Sequence, residues 1–160
     1  ATVLYSVEVP SHGGNTLFAN GYSAYDALPG DLHGKLEGRD AFHHYHYGST
    51  HIGDDLGVPA FSESTHPVFL THEETGRKAV YVNRLMTEYV VDIDKDESAA
   101  LLARLYDHSE QAEFIYEHVW RKGDVVVWDN RCSMHGRTDF PDDQRRLMLR
   151  TTVKGRVAPT

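Results

Sequence analysis

An apolar strand that leads into a polar segment with a histidine is the feature that most constrains this chain. The three valines at 125–127 predict a buried strand, and a polar segment then runs from Trp128 to His135. A second predicted strand follows, with three arginines between positions 145 and 150. Imidazole is a common ligand of transition metals, and guanidinium binds carboxylates bidentately. We therefore expect a metal and organic anions to meet at this part of the fold.

The arginines of the second strand divide between its two faces. Side chains four residues apart in a strand point the same way, so Arg146 and Arg150 share one face while Arg145 lies on the other. Two arginines on one face favour an interior that binds two anions, because a buried charge is costly without a partner. Two plainer interpretations remain open: an exposed edge strand with solvated arginines and, for His135, a hydrogen-bonded histidine at the rim of a barrel.

The rest of the chain has the pattern of short strands with few helices. Alternating side chains at 2–9 predict a strand, and Ser23 is a predicted N-cap for a short helix. A longer helix is predicted to begin at Asp94, with Glu97 completing a capping box. Residues 48–65 show little periodicity and predict a long loop. Roughly eight strands with two helical segments predict a mostly β (α+β) barrel or jelly roll.

The composition limits the class of protein and of partner. With 160 residues, the chain has the length of one domain with a substantial core. A net charge of −8 argues against nucleic acid or an anionic membrane surface as the partner. No apolar run is long enough to cross a bilayer, and the single cysteine, Cys132, favours a reducing compartment. The sequence therefore predicts a cytoplasmic protein without nucleic-acid or membrane partners.

Several short motifs follow one another in a fixed order along the chain. They are Gly13-Gly14-Asn15-Thr16-Leu17, His66-Pro67-Val68, Thr75-Gly76-Arg77-Lys78-Ala79-Val80-Tyr81-Val82-Asn83, Trp128-Asp129-Asn130-Arg131, and finally His135 and Arg145-Arg146. In this order they resemble the taurine dioxygenase and 2,4-dichlorophenoxyacetate dioxygenase family of iron(II) and 2-oxoglutarate-dependent oxygenases. The resemblance covers nearly the whole chain. It implies a double-stranded β-helix, or jelly roll, with flanking helices, in which residues 1–160 form a single oxygenase domain.

The resemblance also implies roles for individual residues. His135 is similar to the distal histidine of a two-histidine-one-carboxylate iron site. Arg146 and Thr16 match the residues that hold the far carboxylate of 2-oxoglutarate. Arg150 takes the place of the arginine that binds the substrate's sulfonate or carboxylate. These roles agree with the chemistry of the side chains, since guanidinium binds carboxylate and imidazole binds iron.

The remaining site residues are expected on weaker resemblance or outside the sequence. Tyr45 and Met86 align loosely with the substrate wall, and packing in the core is the equal alternative. The family's His-x-Asp motif supplies two further iron ligands, and neither His51 nor His72 provides it in the required form. We therefore expect these ligands upstream of Ala1, in an N-terminal part of the domain that the sequence lacks.

Histidines at 43, 44, 46 and 51 form a second group with metal-binding potential. A separate zinc site is one interpretation, but neighbouring residues of a strand point to opposite faces and no cysteine accompanies them. The favoured interpretation is that one histidine faces the substrate pocket. In the central motif, we expect Trp128 in the core near the metal, Arg131 in a structural ion pair, and Cys132 as a small buried side chain.

Together these expectations describe an iron(II)/2-oxoglutarate-dependent dioxygenase that uses dioxygen. By resemblance, it hydroxylates a small organic anion, either an alkylsulfonate such as taurine or an aryloxyalkanoate, while 2-oxoglutarate is decarboxylated to succinate. The alternative is a non-catalytic jelly-roll module that binds anions and has lost the iron site. The expected partners are the small anionic substrate and further copies of the chain in a homo-oligomer.

Overall fold

The described part of the protein, in a computed structural model, comprises residues 1–46, 61–153 and 155, with the side chains of His46 and Phe61 left aside. The strands are β1 (Thr2–Glu8), β2 (Thr16–Asn20), β3 (Asp40–His46), β4 (Phe61–Pro67), β5 (Phe69–Thr71), β6 (Lys78–Val80), β7 (Thr87–Val90), β8 (Ile115–His118), β9 (Val125–Trp128), β10 (Ser133–Arg137) and β11 (Leu147–Thr152). The helices are α1 (Gly21–Asp26), α2 (Gly30–Leu36) and α3 (Lys95–Ser109), with a 3-10 turn at Ala112–Phe114. The predicted predominance of strands over helices is confirmed.

The strands pair in antiparallel sheets that join distant parts of the chain. Their orders are β11-β1-β9, β10-β2-β8, β4-β3-β7 and β5-β6. In the first sheet, Thr2 lies opposite both Thr152 and Trp128. In the second, β2 lies between β10 and β8, with Phe18 opposite His135 and Tyr116. Each of the first two strands therefore holds two strands from the last third of the chain.

The hydrophobic core lies between the helices and the strands from β3 to β7. It is built from aliphatic and aromatic side chains that are almost completely buried, with Leu32, Leu36, Val68, Val80, Val82, Val90, Leu101, Leu102 and Leu105 among them. Burying such side chains is the main favourable contribution to folding. This core fixes the helical side of the domain, whereas the charged residues of the C-terminal strands lie in the other sheets.

Helix α3 begins where the sequence predicts. The Asp94 carboxylate accepts hydrogen bonds from the backbone N–H groups of Asp96 and Glu97, which satisfies two donors that have no partner within the helix. In a full capping box the Glu97 carboxylate would also bond to the backbone N–H of Asp94. Here it accepts a hydrogen bond from Nζ of Lys35 at 2.6 Å instead. The predicted apolar face is buried from Leu101 onwards, but Ala99 is exposed.

Two local predictions are wrong. Helix α1 is capped by Asn20 rather than Ser23, because the Asn20 side chain accepts from the N–H groups of Tyr22 and Ser23 itself. The predicted loop at 48–65 extends too far, since its residues from 61 onwards belong to β4 and pair with β3. The rest of that segment lies outside the described residues.

The prediction of a buried strand at 125–127 is also wrong in part. Val125 and Val127 are 59% and 60% exposed, while Trp128 is buried. Their side of the sheet β11-β1-β9 also carries Tyr5 and Leu149, which are exposed as well. An apolar run therefore marks the strand correctly but does not show that both of its faces are covered.

The N-cap of α3 gives a test of this fold. Replacing Asp94 with Ala removes the acceptor of two backbone N–H groups, and such caps contribute about 1 kcal/mol to stability. We expect Asp94→Ala to lower the free energy of unfolding by that amount in equilibrium urea denaturation. Lys95→Ala at the neighbouring exposed position is the control. Equal losses in the two variants would contradict the assigned cap.

Candidate active site

A cavity of about 270 Å³ brings together four of the six predicted site residues. Its lining consists of Leu4, Thr16, Trp128, His135, Gly136, Arg137, Arg146 and Arg150. The metal-ligand candidate, both candidates for 2-oxoglutarate and the candidate for the substrate anion therefore face the same space. No acidic side chain is among these lining residues.

Strand parity places these side chains. In β10, His135 and Arg137 are two residues apart and point to the same side, where Arg137 lies opposite Thr16 of β2. In β11, Arg150 lies opposite Leu4 of β1. The predicted grouping of Arg146 with Arg150 agrees with this arrangement, because both line the cavity.

The imidazole of His135 contacts an aromatic ring on one side, although the residue as a whole is solvent-exposed. Its ring meets Trp128 edge to face, with 5.0 Å between ring centroids and an interplanar angle of 60°. Burial, together with the charge of Arg150, lowers the pKa of His135 below its usual value. A lowered pKa favours the uncharged ring, which has a lone pair for a metal or a proton donor. No hydrogen bond to this ring occurs within residues 1–46 and 61–153.

The three arginines of the cavity lack carboxylate partners within the described part of the chain. Arg146 donates from Nε to the carbonyl oxygen of Gly14 at 2.9 Å, and Arg137 stacks over the ring of Phe140 at 4.9 Å. Burial, with the nearby charge of Arg137, lowers the pKa of Arg146. Arg137 and Arg150 are exposed and Arg146 is half-buried, whereas Arg145, which is also exposed, lies 3.4 Å from a Glu8 carboxylate oxygen. The cavity face thus has an excess of positive charge that suits an anion.

Two neighbouring residues support Arg146 and the cavity wall. Gly14 has a φ of +64°, and a Cβ at this position would lie 3.0 Å from Cδ of Arg146. The glycine therefore permits both the turn and the close approach of the arginine. Thr16 is buried, and its Oγ accepts a hydrogen bond from the indole N–H of Trp120 at 2.9 Å. The hydroxyl proton of Thr16 is left to donate to a bound group.

The two predicted wall residues do not line this cavity. Tyr45 lies in β3 opposite Ser62, and the carbonyl oxygen of Met86 accepts from the backbone N–H of His44 at 2.7 Å. Both belong to the region of the sheet β4-β3-β7, so their role at the substrate stays a prediction. Sequence reasoning missed Arg137, although its position two residues after His135 places it on the same face.

The histidine group of β3 forms no three-ligand metal site with described residues. His43 and His44 point to opposite faces, as predicted: Nδ1 of His43 lies 3.1 Å from the Thr87 hydroxyl, and Nδ1 of His44 lies 3.0 Å from Glu88. Burial, with the charge of His66, lowers the pKa of His43 to about 4. The side chain of His46 and the whole of His51 lie outside the described residues.

The turn between β9 and β10 is held by ion pairs. Arg131 contacts the carboxylates of Asp129 and Glu73 at 3.3 and 2.5 Å, which confirms the predicted structural role of Arg131. His72 lies 3.1 Å from the Asp129 carboxylate. Burial works to raise the pKa of Asp129, but these donors and the backbone N–H of Arg131 lower it to about 2. Cys132, in the same turn, is half-buried, which agrees only in part with the predicted burial.

Known proteins resemble this chain in sequence and structure. The family profile "Taurine catabolism dioxygenase TauD, TfdA family" matches residues 1–152. An alpha-ketoglutarate-dependent 2,4-dichlorophenoxyacetate dioxygenase of Cupriavidus pinatubonensis is 37% identical over 160 residues, which cover 95% of this chain and 54% of that protein. The chain therefore spans about half the length of the curated relatives that it matches.

Two solved structures extend the likeness to the fold. A taurine dioxygenase from Burkholderia xenovorans superposes with a TM-score of 0.85 at 31% identity, covering 99% of this chain and 52% of that one. The structure of AAD-2 in complex with Mn(II) and N-oxalylglycine also gives a TM-score of 0.85, at 32% identity, covering 99% of this chain and 64% of that one. Both match nearly every part of this chain.

The Asp129 carboxylate provides a test of the site's electrostatics. Because its pKa in the folded protein lies below the ordinary value of 3.8, its stabilising contribution is present above pH 4 and is lost as the pH falls towards about 2. We expect a carboxyl ¹³C NMR titration to show this low pKa. Arg131→Met should raise it, since the guanidinium favours the charged form. An unchanged pKa in the variant would refute the assigned pairing.

Proposed function

Because the chain belongs to the taurine catabolism dioxygenase TauD/TfdA family, we propose that the protein is an iron(II)- and 2-oxoglutarate-dependent dioxygenase. It hydroxylates a small organic anion with dioxygen, and 2-oxoglutarate is converted to succinate and carbon dioxide. The observation that carries this proposal is the cavity in which His135, Thr16 and three arginines face one another. A neutral imidazole beside several guanidinium groups suits a metal with two organic anions.

The proposed fold is a double-stranded β-helix, or jelly roll, with helices on one side. The antiparallel pairing of β1 and β2 with strands from the end of the chain supports it. The likeness to a taurine dioxygenase at a TM-score of 0.85 supports it as well. Residues 1–160 are proposed to form one oxygenase domain, of which a further N-terminal part carries the His-x-Asp motif.

Iron would be held by His135 together with ligands from elsewhere in the protein. The fit of His135 rests on its neutral ring, which lines the cavity without a described hydrogen bond. The described residues contain no set of three ligand side chains, so the other two are proposed to precede Ala1. Bound iron supplies the activation of dioxygen that is coupled to the decarboxylation of 2-oxoglutarate. The chain's own contribution is to hold the imidazole uncharged and oriented.

The cosubstrate is proposed to lie against Arg146 and Thr16. Arg146 offers a planar pair of donors for the far carboxylate, and its Nε–H bond to Gly14 fixes the plane of the guanidinium. The Thr16 hydroxyl donates a further hydrogen bond, since its acceptor side is occupied by Trp120. Thr16 is buried and Arg146 is half-buried, so the contacts lie partly away from water, which strengthens charge-assisted bonds.

The substrate is proposed to be an alkylsulfonate or an aryloxyalkanoate whose anionic group binds Arg150. The relatives support these two classes, because one is a 2,4-dichlorophenoxyacetate dioxygenase and another a taurine dioxygenase. Arg137 lines the same cavity and adds positive charge to it. Tyr45 and Met86 are kept in the proposal as walls for the part of the substrate beyond its anion.

A second candidate function is an anion-binding module without iron chemistry. It is favoured by a single observation, that the described residues provide His135 but no complete set of metal ligands. Metal binding by a full-length protein separates the two candidates.

The described helices include none that is long and apolar enough to span a membrane. A cytoplasmic location and a homo-oligomeric state stay predictions from the sequence.

The cosubstrate assignment is tested by Arg146→Ala in the full-length protein. Losing one partner of a charge-assisted carboxylate pair costs on the order of 2–5 kcal/mol when the pair is buried, so at the half-buried Arg146 we expect the affinity for 2-oxoglutarate to fall by about the lower end of that range. Calorimetric titration of the metal-loaded protein measures it. Arg145→Ala is the matched control, because this neighbour is exposed on the other face and pairs with Glu8. Equal affinities in the two variants would reject the assignment.

The substrate assignment is tested by Arg150→Ala. The variant keeps Arg146, so we expect it to bind 2-oxoglutarate and to form succinate slowly without substrate. It should lose the increase in succinate formation that an added sulfonate or aryloxyalkanoate causes, because the anion has lost its partner. The measurement is succinate release with and without each candidate substrate. Stimulation equal to that of the unaltered protein would exclude Arg150 as the substrate-binding arginine.

A further inference from the structure

The turn before β10 sets the position of that strand from its first residue. The backbone carbonyl oxygen of Asp129 accepts from the N–H of Ser133 at 3.2 Å and from its hydroxyl at 2.7 Å. The N–H of Cys132 approaches the same oxygen at 3.4 Å. Ser133 begins β10, and His135 lies two residues further along it. The placement of Asp129 therefore fixes where the imidazole enters the cavity.

The Asp129 carboxylate is in turn held from two directions. One oxygen accepts from the backbone N–H of Arg131 at 2.9 Å, and the other lies 3.1 Å from Nε2 of His72. Nδ1 of His72 accepts from the N–H of Glu74 at 3.2 Å, so Nε2 is left to donate to Asp129. His72 is buried and its backbone lies next to the hairpin β5–β6. A second element thus holds the turn in place.

A parallel set of contacts orients the ring against which His135 packs. The indole N–H of Trp128 donates to the side-chain oxygen of Asn130 at 2.8 Å. The amide nitrogen of Asn130 donates to the hydroxyl of Thr2 at 2.8 Å, and Thr2 is fully buried in β1. Trp128 is thereby fixed relative to β1, and its ring lies edge to face with His135.

His135 needs such support because no described side chain or carbonyl binds its ring. A metal-ligating histidine commonly donates its second N–H to a carboxylate or carbonyl group, which fixes the orientation of the ring. In the part of the chain that is described, the rings of Trp128 and Phe18 and the start of β10 are what remain to orient it. The orientation is therefore set through the backbone and two aromatic contacts, of which that with Trp128 is the nearer.

We propose that the His72–Asp129 pair, together with Arg131, is a positioning device for the metal ligand His135. This inference rests on the proposed function, because the turn can position a metal ligand only if His135 binds a metal. The three residues act through the backbone of β10 and do not contact the bound groups. Their charges and hydrogen bonds hold the turn at the one register that presents the imidazole to the cavity.

The test compares two replacements of His72 in the full-length protein. His72→Phe keeps a ring but removes both hydrogen bonds, whereas the amide N–H of His72→Gln can still donate to Asp129. We expect His72→Phe to weaken Mn²⁺ binding by about 10- to 100-fold, the effect typical of losing support behind a ligand, and His72→Gln to restore most of the affinity. Calorimetry with Mn²⁺ alone measures this. Glu110→Gln, which breaks an exposed ion pair with Arg84, is the control.

A purely structural role predicts a different pattern. In that case His72→Phe lowers the melting temperature but the folded protein binds Mn²⁺ as tightly as the control does, and the proposal is overturned. Should His72→Phe fail to fold, Arg131→Lys takes its place, since it keeps the charge but loses the fork that contacts Asp129 and Glu73. Unchanged Mn²⁺ affinity in Arg131→Lys also overturns the proposal.

A second readout separates this proposal from the proposed function. Ring ¹H–¹⁵N NMR signals of His135 in the metal-free protein report its surroundings directly. We expect them to move or broaden in His72→Phe and to stay in place in Glu110→Gln. If the unaltered full-length protein binds neither Mn²⁺ nor 2-oxoglutarate, the proposed function fails, whatever the NMR result. If it binds both and the His135 signals are the same in all variants, the positioning role fails alone.

Discussion

The antiparallel pairing of β1 and β2 with strands from the end of the chain is the constraint on which the site depends. β1 lies between β9 and β11, and β2 lies between β10 and β8. Backbone pairing therefore places Arg150 opposite Leu4 and Arg137 opposite Thr16, although these residues are far apart in the sequence. A register slip of one residue in β11 would turn Arg150 away from the cavity, because successive side chains point to opposite faces. The chemistry of the cavity is thus set by pairing in the sheets.

Much of this arrangement could be predicted, because strand parity depends on sequence spacing alone. The common face of Arg146 and Arg150 and the capping role of Asp94 follow from such local rules. Arg137 could have been found by the same two-residue rule, applied forwards from His135. What local rules cannot give is which side of a strand is covered: Val127 is exposed because its face of the sheet has no described neighbour to bury it.

Other features depended on contacts between residues far apart in sequence. Ser23 and Asn20 are both good N-cap residues, and the choice between them is made where the chain leaves β2 and turns into α1. β4 has few apolar residues, so its strand character comes from pairing along the whole of β3 rather than from its own pattern. Equally, the spacing of His72 and Asp129 gives no sign that they meet, because 57 positions separate them.

The positive charges that line the cavity favour the binding of anions. The pKa of Arg146 is lowered by burial and by Arg137, and the pKa of His135 is lowered by burial and by Arg150, so each site disfavours an additional positive charge beside the arginines. A bound anion relieves that repulsion, and anything that binds the folded state alone also stabilises it. If one carboxylate of a cosubstrate pairs with Arg146, Arg150 keeps its positive charge for a second anion. Arg146 directly precedes β11 and Arg150 lies within it, so an extended chain over these four residues would separate the two guanidinium-bearing positions by about 13 Å, enough to hold two anions apart.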